Sequence, residues 1–348
     1  MRSRFWHMLQ DLENDSCGRE KAMNDKLKLT LYKYRYVIIL LAVMTALTAA
    51  TPKFFSVNNF LNILWAVSIV GMISMGATFV ILVGKIDLSV GQTAALSGMI
   101  AALLIKSGFS VFPAILLALM TGALVGIVNG LLVSCFKIPE FITTLATGSI
   151  ITGIAQMISK GKTISVIDKK EFIFLGSGKI AGVPVPIYGF LLLFVVAFYV
   201  LSQTVYGRKC YLVGGNPKAS RVSNISVKKT IVLAYMLSGM AAGFGGIVLT
   251  ALNQQANATT ADGYELDVIA AIVIGGASMT GGVGTIPGTV FGVILIGLIN
   301  NGLNLLSVPG TWHPVVKGAI IILAVAFNNY SIKFMQTSKV QKKEASAA

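Results

Sequence analysis

The chain has 348 residues, of which 55% are hydrophobic and only 12% charged, with a mean hydropathy of +0.79; this excludes a water-soluble globule and assigns the chain to a bilayer, surrounded by membrane lipid. Its formal net charge of +15 does not point to nucleic acid, because the basic residues sit in short segments between apolar runs and not in one soluble patch. Two histidines, His7 and His313, and three scattered cysteines, Cys17, Cys135 and Cys210, exclude a histidine-built catalytic or metal cluster and a disulfide framework, so no cofactor and no metal is expected.

Residues 1–35 mix both charge signs and contain no apolar core of signal-peptide length, which predicts a cytoplasmic amino-terminal segment. Phe5, Met8, Leu9 and Leu12 fall at helical spacing, compatible with a short interfacial helix or with a loose tail. Met23 opens a second lead-in to the membrane, an alternative start for the chain. A bilayer core about 30 Å thick needs about 20 apolar residues per helix. Runs near that length cover 36–51, 61–83, 88–105, 111–135, 138–158, 186–204, 230–252, 264–278, 286–306 and 314–328. The expectation is an all-α integral membrane protein with about ten transmembrane helices in a domain over 36–330, followed by a cytoplasmic tail over 331–348. Two of the runs are short and glycine-interrupted, which admits a broken or re-entrant segment.

Orientation follows from lysine and arginine near the membrane. The lead-in carries Lys26, Lys28, Lys33 and Arg35, the loop at 206–229 carries Arg208, Lys209, Lys218, Arg221, Lys228 and Lys229, and the tail carries Lys333, Lys339, Lys342 and Lys343. An even number of predicted spans separates the three, so all lie in the cytoplasm and both termini with them. The acidic turn with Asp262, Glu265 and Asp267 falls outside. Residues 160–185, also outside by this alternation, oppose the charge rule with five lysines.

Gly122, Gly126 and Gly130 form two consecutive small-xxx-small steps, and Gly239 with Gly243 and Gly288 with Gly292 make more, a signature of close helix packing. VNGLLVSCFKIP from Val128 resembles INNGLNLLSVP from Ile299, five runs apart, as two inverted five-helix halves would produce. Polar groups at membrane depth are Asp87, Asn129, Asn300, Asn301 and Asn304. They stand as a candidate translocation path, with helix-to-helix bonds as the alternative for the asparagines and helix capping for Asp87, whose neighbour Lys85 is near enough to pair with it. Gly282, Gly284 and Gly288 come near a dinucleotide fingerprint, but Pro287 and the lack of a βαβ unit make a hinge between membrane helices the better reading. No Walker motif occurs, so nucleotide hydrolysis is not expected in this chain. Gly214-Gly215-Asn216 in the basic loop is compatible with a phosphate-cradling turn, a solvated loop or a docking element for another protein.

Five segments then carry a resemblance: GKIDLSVGQTAALSG, GIVNGLLV, YGRKCYLVGGNPKASRVSNI, GYELDVIAAIVIGGASMTGGVGTIPGTVFG and NNGLNLL. In this order, over about 23–328, they resemble the permease subunit of ribose-type ABC sugar importers, departing where Lys85 stands in place of the more usual second glycine. The resemblance implies an inner-membrane permease working by alternating access, a second permease copy as a homodimer, a separate double-headed ABC ATPase and an extracytoplasmic sugar-binding protein. It implies that Gly207 to Ile225 is the ATPase-coupling element, with Gly207, Arg208, Gly214, Gly215, Asn216, Pro217, Ala219 and Arg221 as its residues. Asn216 as cap and Pro217 at the first helical position suit the start of a short docking helix over 217–225. The solute expected is ribose or a related monosaccharide. An ion-coupled carrier using Asp87 as its cation or proton site is the alternative.

Overall fold

The computed structural model describes residue 38 and residues 40–51, 54–319 and 322. The chain divides into two compact units, Met1–Ala50 and Thr51–Ala348. In the first, helix α1 spans Leu40–Ala50, and the hydroxyls of Thr45 and Thr48 bond back to the carbonyls of Leu41 and Met44 at 2.7 Å each. The Phe5 to Leu12 stripe, Met23 and the carboxy-terminal lysines lie outside the described residues, as does most of the 314–328 run.

Among the described residues of the second unit the apolar runs become helices, the local way for a backbone to satisfy its own donors and acceptors without water. They are α2 (Val57–Leu82), α3 (Val90–Lys106), α4 (Val111–Ser134), α5 (Glu140–Ser159), α6 (Lys170–Ser177), α7 (Val185–Gln203), α8 (Val205–Gly215), α9 (Pro217–Val222), α10 (Val227–Asn253), α11 (Tyr264–Ile274) and α12 (Ile286–Leu305). The hydrophobic stretches of α2 and α10 are 83% and 67% buried, against 17% for α7 and 22% for α4. The first two therefore form the axis of the bundle, and the others leave broad apolar faces for lipid.

Glycine sets how closely these helices approach. A Cβ on Gly122 or Gly126 of α4 would meet the carbonyls of Gly239 or Tyr235 on α10, and one on Gly288 or Gly292 of α12 would meet those of Gly275 or Ala271. The small-xxx-small steps thus pack backbone on backbone, as their spacing predicts.

The expectation of about ten spans is met in part. Among the described residues six helices are long and apolar enough to cross a membrane: α2, α4, α5, α7, α10 and α12. Helix α3 has 17 residues and α11 only 11. At 1.5 Å per residue α11 rises about 16 Å, roughly half a bilayer core. Its run to residue 278 breaks after Ile274 because Gly276 turns into the left-handed region at φ +87°.

Contacts sort the turns into two ends. Lys85 after α2 pairs with Glu140 at the start of α5 at 3.0 Å, and the Gly282 amide donates to the Leu82 carbonyl at 2.9 Å. At the opposite end, β1 (Ile164–Ser165) pairs antiparallel with β4 (Gln255–Ala256), near the ladder of β2 (Lys179–Ile180) and β3 (Val183–Pro184) in sequence. The lysine-bearing 160–185 segment therefore sits with the turn before α11, one length of α7 away from Arg208 and Lys209.

Candidate functional site

The basic segment after α7 folds into two short helices. Thr204 caps α8, its Oγ1 accepting from the Gly207 amide at 3.2 Å. Gly207, Cys210 and Val213, three residues apart, point inward, while Arg208, Lys209 and Leu212 face out. Asn216 then adopts extended backbone, its Oδ1 accepts from the Ala219 amide at 3.0 Å, and Pro217 opens α9. The anticipated cap and proline positions are met, although the helix closes at Val222 and Asn224 takes φ +58°. Ser220 is buried, whereas Lys218, Ala219 and Arg221 are exposed and Val222 is 91% exposed.

The glycines around α8 act by close contact. A Cβ on Gly207 would meet the Leu201 carbonyl, and one on Gly214 would meet the Leu82 carbonyl and the Gly282 amide. Gly281 and Gly282, at φ +86° and +74°, lie against Gly84, Gly214 and Gly215, while the Tyr211 hydroxyl donates to the Gly284 carbonyl at 2.8 Å. Three glycine motifs far apart in sequence thus meet at one junction. The amide of Gly282 is committed to Leu82, so the junction is built for backbone packing and not for cradling phosphate. Backbone touches backbone there with no flexible side chain between, so the end of α8, just before α9, is seated on the ends of α2 and the α11–α12 turn.

Asp87 lies 5% exposed in the connector from α2 to α3. Its Oδ1 accepts from the amide and hydroxyl of Ser89 at 3.0 and 2.7 Å, and its Oδ2 from the Ser238 hydroxyl at 2.9 Å. Asn129 donates to the Ser89 hydroxyl at 2.8 Å, and the Tyr235 hydroxyl donates to the Ile86 carbonyl at 2.8 Å. The cluster ties the connector to α4 and α10. Lys85 is not its partner, since its ammonium is taken by Glu140. Nor does Asp87 cap α3 in the ordinary sense: Ser89 is the cap residue, and the carboxylate binds that residue's own amide.

Asn301 exchanges two hydrogen bonds with Asn59 of α2, at 3.1 and 2.8 Å. Asn300 is half-buried with its Oδ1 unpartnered, and Asn304 is exposed. Asn59 and Leu82 are about 35 Å apart along α2 at 1.5 Å per residue. The five polar positions therefore do not form one line: Asp87 and Asn129 gather past one end of α2, and the asparagines of α12 gather at the other.

A cavity of about 680 Å³ lies between α3, α5 and the start of α11, bordered by Leu88 next to Asp87 and lined by Gln92, Thr144, Thr152, Gln156, Asp262 and Glu265 among others. Sequence reasoning passed over the stripe on α5. Its signal was present as Ser149, Thr152 and Gln156, three and four residues apart within an apolar run, with Thr144 ahead of them.

A family model described as branched-chain amino acid transport system / permease component matches residues 59–325. The chain is 38% identical over 303 residues to the ribose import permease protein RbsC of Haemophilus influenzae, spanning 86% of this chain and 94% of that protein. It is 42% identical over 275 residues to the protein of the same name from Bacillus subtilis, spanning 79% and 85%. To the L-arabinose ABC transporter permease protein AraH of Azospirillum brasilense it is 34% identical over 294 residues, spanning 84% and 86%. No solved structure matches the chain.

Proposed function

Because the chain belongs to the permease-component family of branched-chain amino acid transport systems, and within it to the ribose-type ABC permeases, we propose that it is the multi-pass inner-membrane subunit of an ATP-driven sugar importer. The solute is ribose or a related monosaccharide, as the names of its relatives suggest. Hydrolysis belongs to a separate double-headed ATPase, and delivery to an extracytoplasmic sugar-binding protein. A second copy of the chain completes the membrane part. The full topology has about ten spans in two inverted halves, with α3 and α11 as the broken members and both termini in the cytoplasm.

The observation that carries this reading beyond similarity is α9. An Asn-capped, proline-opened helix presents Lys218, Ala219, Arg221 and Val222 to solvent while the glycine junction fixes its base to α2 and the α11–α12 turn. An exposed valine beside two cations suits a protein partner with an acidic, partly apolar groove. Asp87, by contrast, has its oxygens met by three donors from Ser89 and Ser238, which supports a structural role over a cation site.

Uptake of radiolabelled D-ribose into liposomes holding permease, ATPase and binding protein is the test. Uptake that requires ATP and survives collapse of proton and sodium gradients is expected. Uptake without ATP that stops when a gradient is dissipated would instead establish an ion-coupled carrier.

A further inference from the structure

We propose that the cavity between α3, α5 and the turn before α11 is where this chain hydrogen-bonds its solute during passage, and that the site is built for an uncharged polyhydroxylated molecule; the proposal rests on the permease reading and names the residues that serve it. Its volume, about 680 Å³, falls within the ordinary range of small-molecule sites. The lining chemistry is one-sided. Two carboxylates, Asp262 and Glu265, and two amides, Gln92 and Gln156, face it, with no lysine or arginine among the lining residues.

The hydroxyls strengthen the same bias. Thr144 donates to the Glu140 carbonyl at 2.8 Å, Ser149 to that of Leu145 at 3.1 Å and Thr152 to that of Gly148 at 3.1 Å. Their protons are spent on their own helix, and each oxygen keeps a lone pair for the cavity. Beside apolar Leu88, Phe141, Leu145 and Leu266, the polar part of the lining is therefore weighted toward acceptors, the complement of a solute that offers hydroxyl donors on a carbon ring. An anionic solute such as a sugar phosphate would meet two carboxylates and no compensating cation.

Two acceptors are left unsatisfied. Glu265 Oε1 accepts from the Gly263 amide at 3.2 Å, but Oε2 is buried without a partner, and so is Oε1 of Gln92. A buried acceptor without a partner is costly unless solvent or solute meets it. Glycine makes room for both: a Cβ on Gly91 would meet Glu265 Oε2 at 2.6 Å, and one on Gly148 would meet Gln92 Oε1 at 3.3 Å. Gln156, with an amide that no backbone carbonyl of α5 satisfies, and the facing carboxylates Asp262 and Glu265 suit a water-filled route and not hydrocarbon.

The test uses the full chain with its ATPase and binding protein, with Cys17, Cys135 and Cys210 replaced by serine. Ser149→Cys, Thr152→Cys and Gln156→Cys probe the cavity stripe, and Ile150→Cys and Ile154→Cys probe the outer apolar face of the same helix. A water-soluble methanethiosulfonate should modify the first three and spare the last two, and modification should cut D-ribose uptake about ten-fold. In parallel, Gln156→Leu should lower the maximal uptake rate about ten-fold, the loss expected for one hydrogen bond worth about 1.4 kcal/mol, and Gln156→Asn should restore most of it. Equal labelling of both faces, an unreactive cavity stripe, or full uptake after modification overturns the proposal. Failure of the parent chain to move ribose counts against the sugar-import reading, while the labelling pattern, read without transport, still decides whether the cavity is wet.

Discussion

The ammonium of Lys317 lies 2.7 Å from Oδ2 of Asp267, a carboxylate whose side chain is only 4% exposed in the first turn of α11. The pair pins the short α11 to the residues that follow α12, and Oδ1 of Asp267 has no other partner. Lys317→Met should strand a buried charge and destabilise the fold by about 3 kcal/mol, at the lower end for broken buried pairs because Lys317 is 27% exposed. Thermal unfolding of the purified chain in detergent measures this. Adding Asp267→Asn to that variant should recover most of the loss; no recovery would mean that the two groups are not coupled.

Helix α4 against α10 has no room for a side chain at Gly126, where a Cβ would strike the Tyr235 carbonyl. Gly126→Leu should therefore lower stability by about 3 kcal/mol or more, since the obstacle is backbone and cannot rotate away. Gly318→Ala, with nothing within 4 Å of its Cβ, should be silent. Comparable melting temperatures for the two variants would refute the packing role of the glycine steps.

The cysteines should differ sharply in reactivity. Cys210 is fully buried on the inner face of α8, and burial pushes its thiol up to about 12, so it stays protonated at pH 8. Cys135, at the end of α4, is exposed. In a Cys17→Ser background, maleimide at pH 8 should modify Cys135 and leave Cys210 intact until the protein is denatured, as peptide mass spectrometry would show. An impermeant reagent should reach Cys135 only after the membrane is opened. Labelling in intact cells would reverse the orientation inferred from the basic loop.

Ala219 sits on the outer face of α9, between exposed Lys218 and Arg221. Ala219→Glu should weaken capture of the ATPase about ten-fold and uncouple hydrolysis from uptake. Membrane insertion should be normal, because orientation depends on the untouched lysines and arginines. Normal coupling in this variant would remove α9 as the docking element.

Much of the local structure was legible beforehand because it depends on residues within a turn or two of one another. Among the described residues the apolar runs became helices, Asn216 and Pro217 opened α9 as cap and first residue, and the four-residue glycine spacing marked the faces on which α4 meets α10 and α12 meets α11. Composition and charge likewise assigned the chain to a membrane, since both are sums over residues that folding does not alter. What sequence could not decide was which distant groups meet. Lys85 is two residues from Asp87 yet pairs with Glu140, 55 residues away, and Asn301 bonds Asn59 across 242 residues. Asp87 finds its partner Ser238 across 151 residues, and the glycines near 84, 214 and 282 converge although no periodicity links them. Such pairings follow from how rigid helices stack and from where each connector reverses, and they carry no signal in a short window of chain. Only the packed bundle separated the polar positions to opposite ends of α2 and turned the unremarked stripe on α5 toward a cavity.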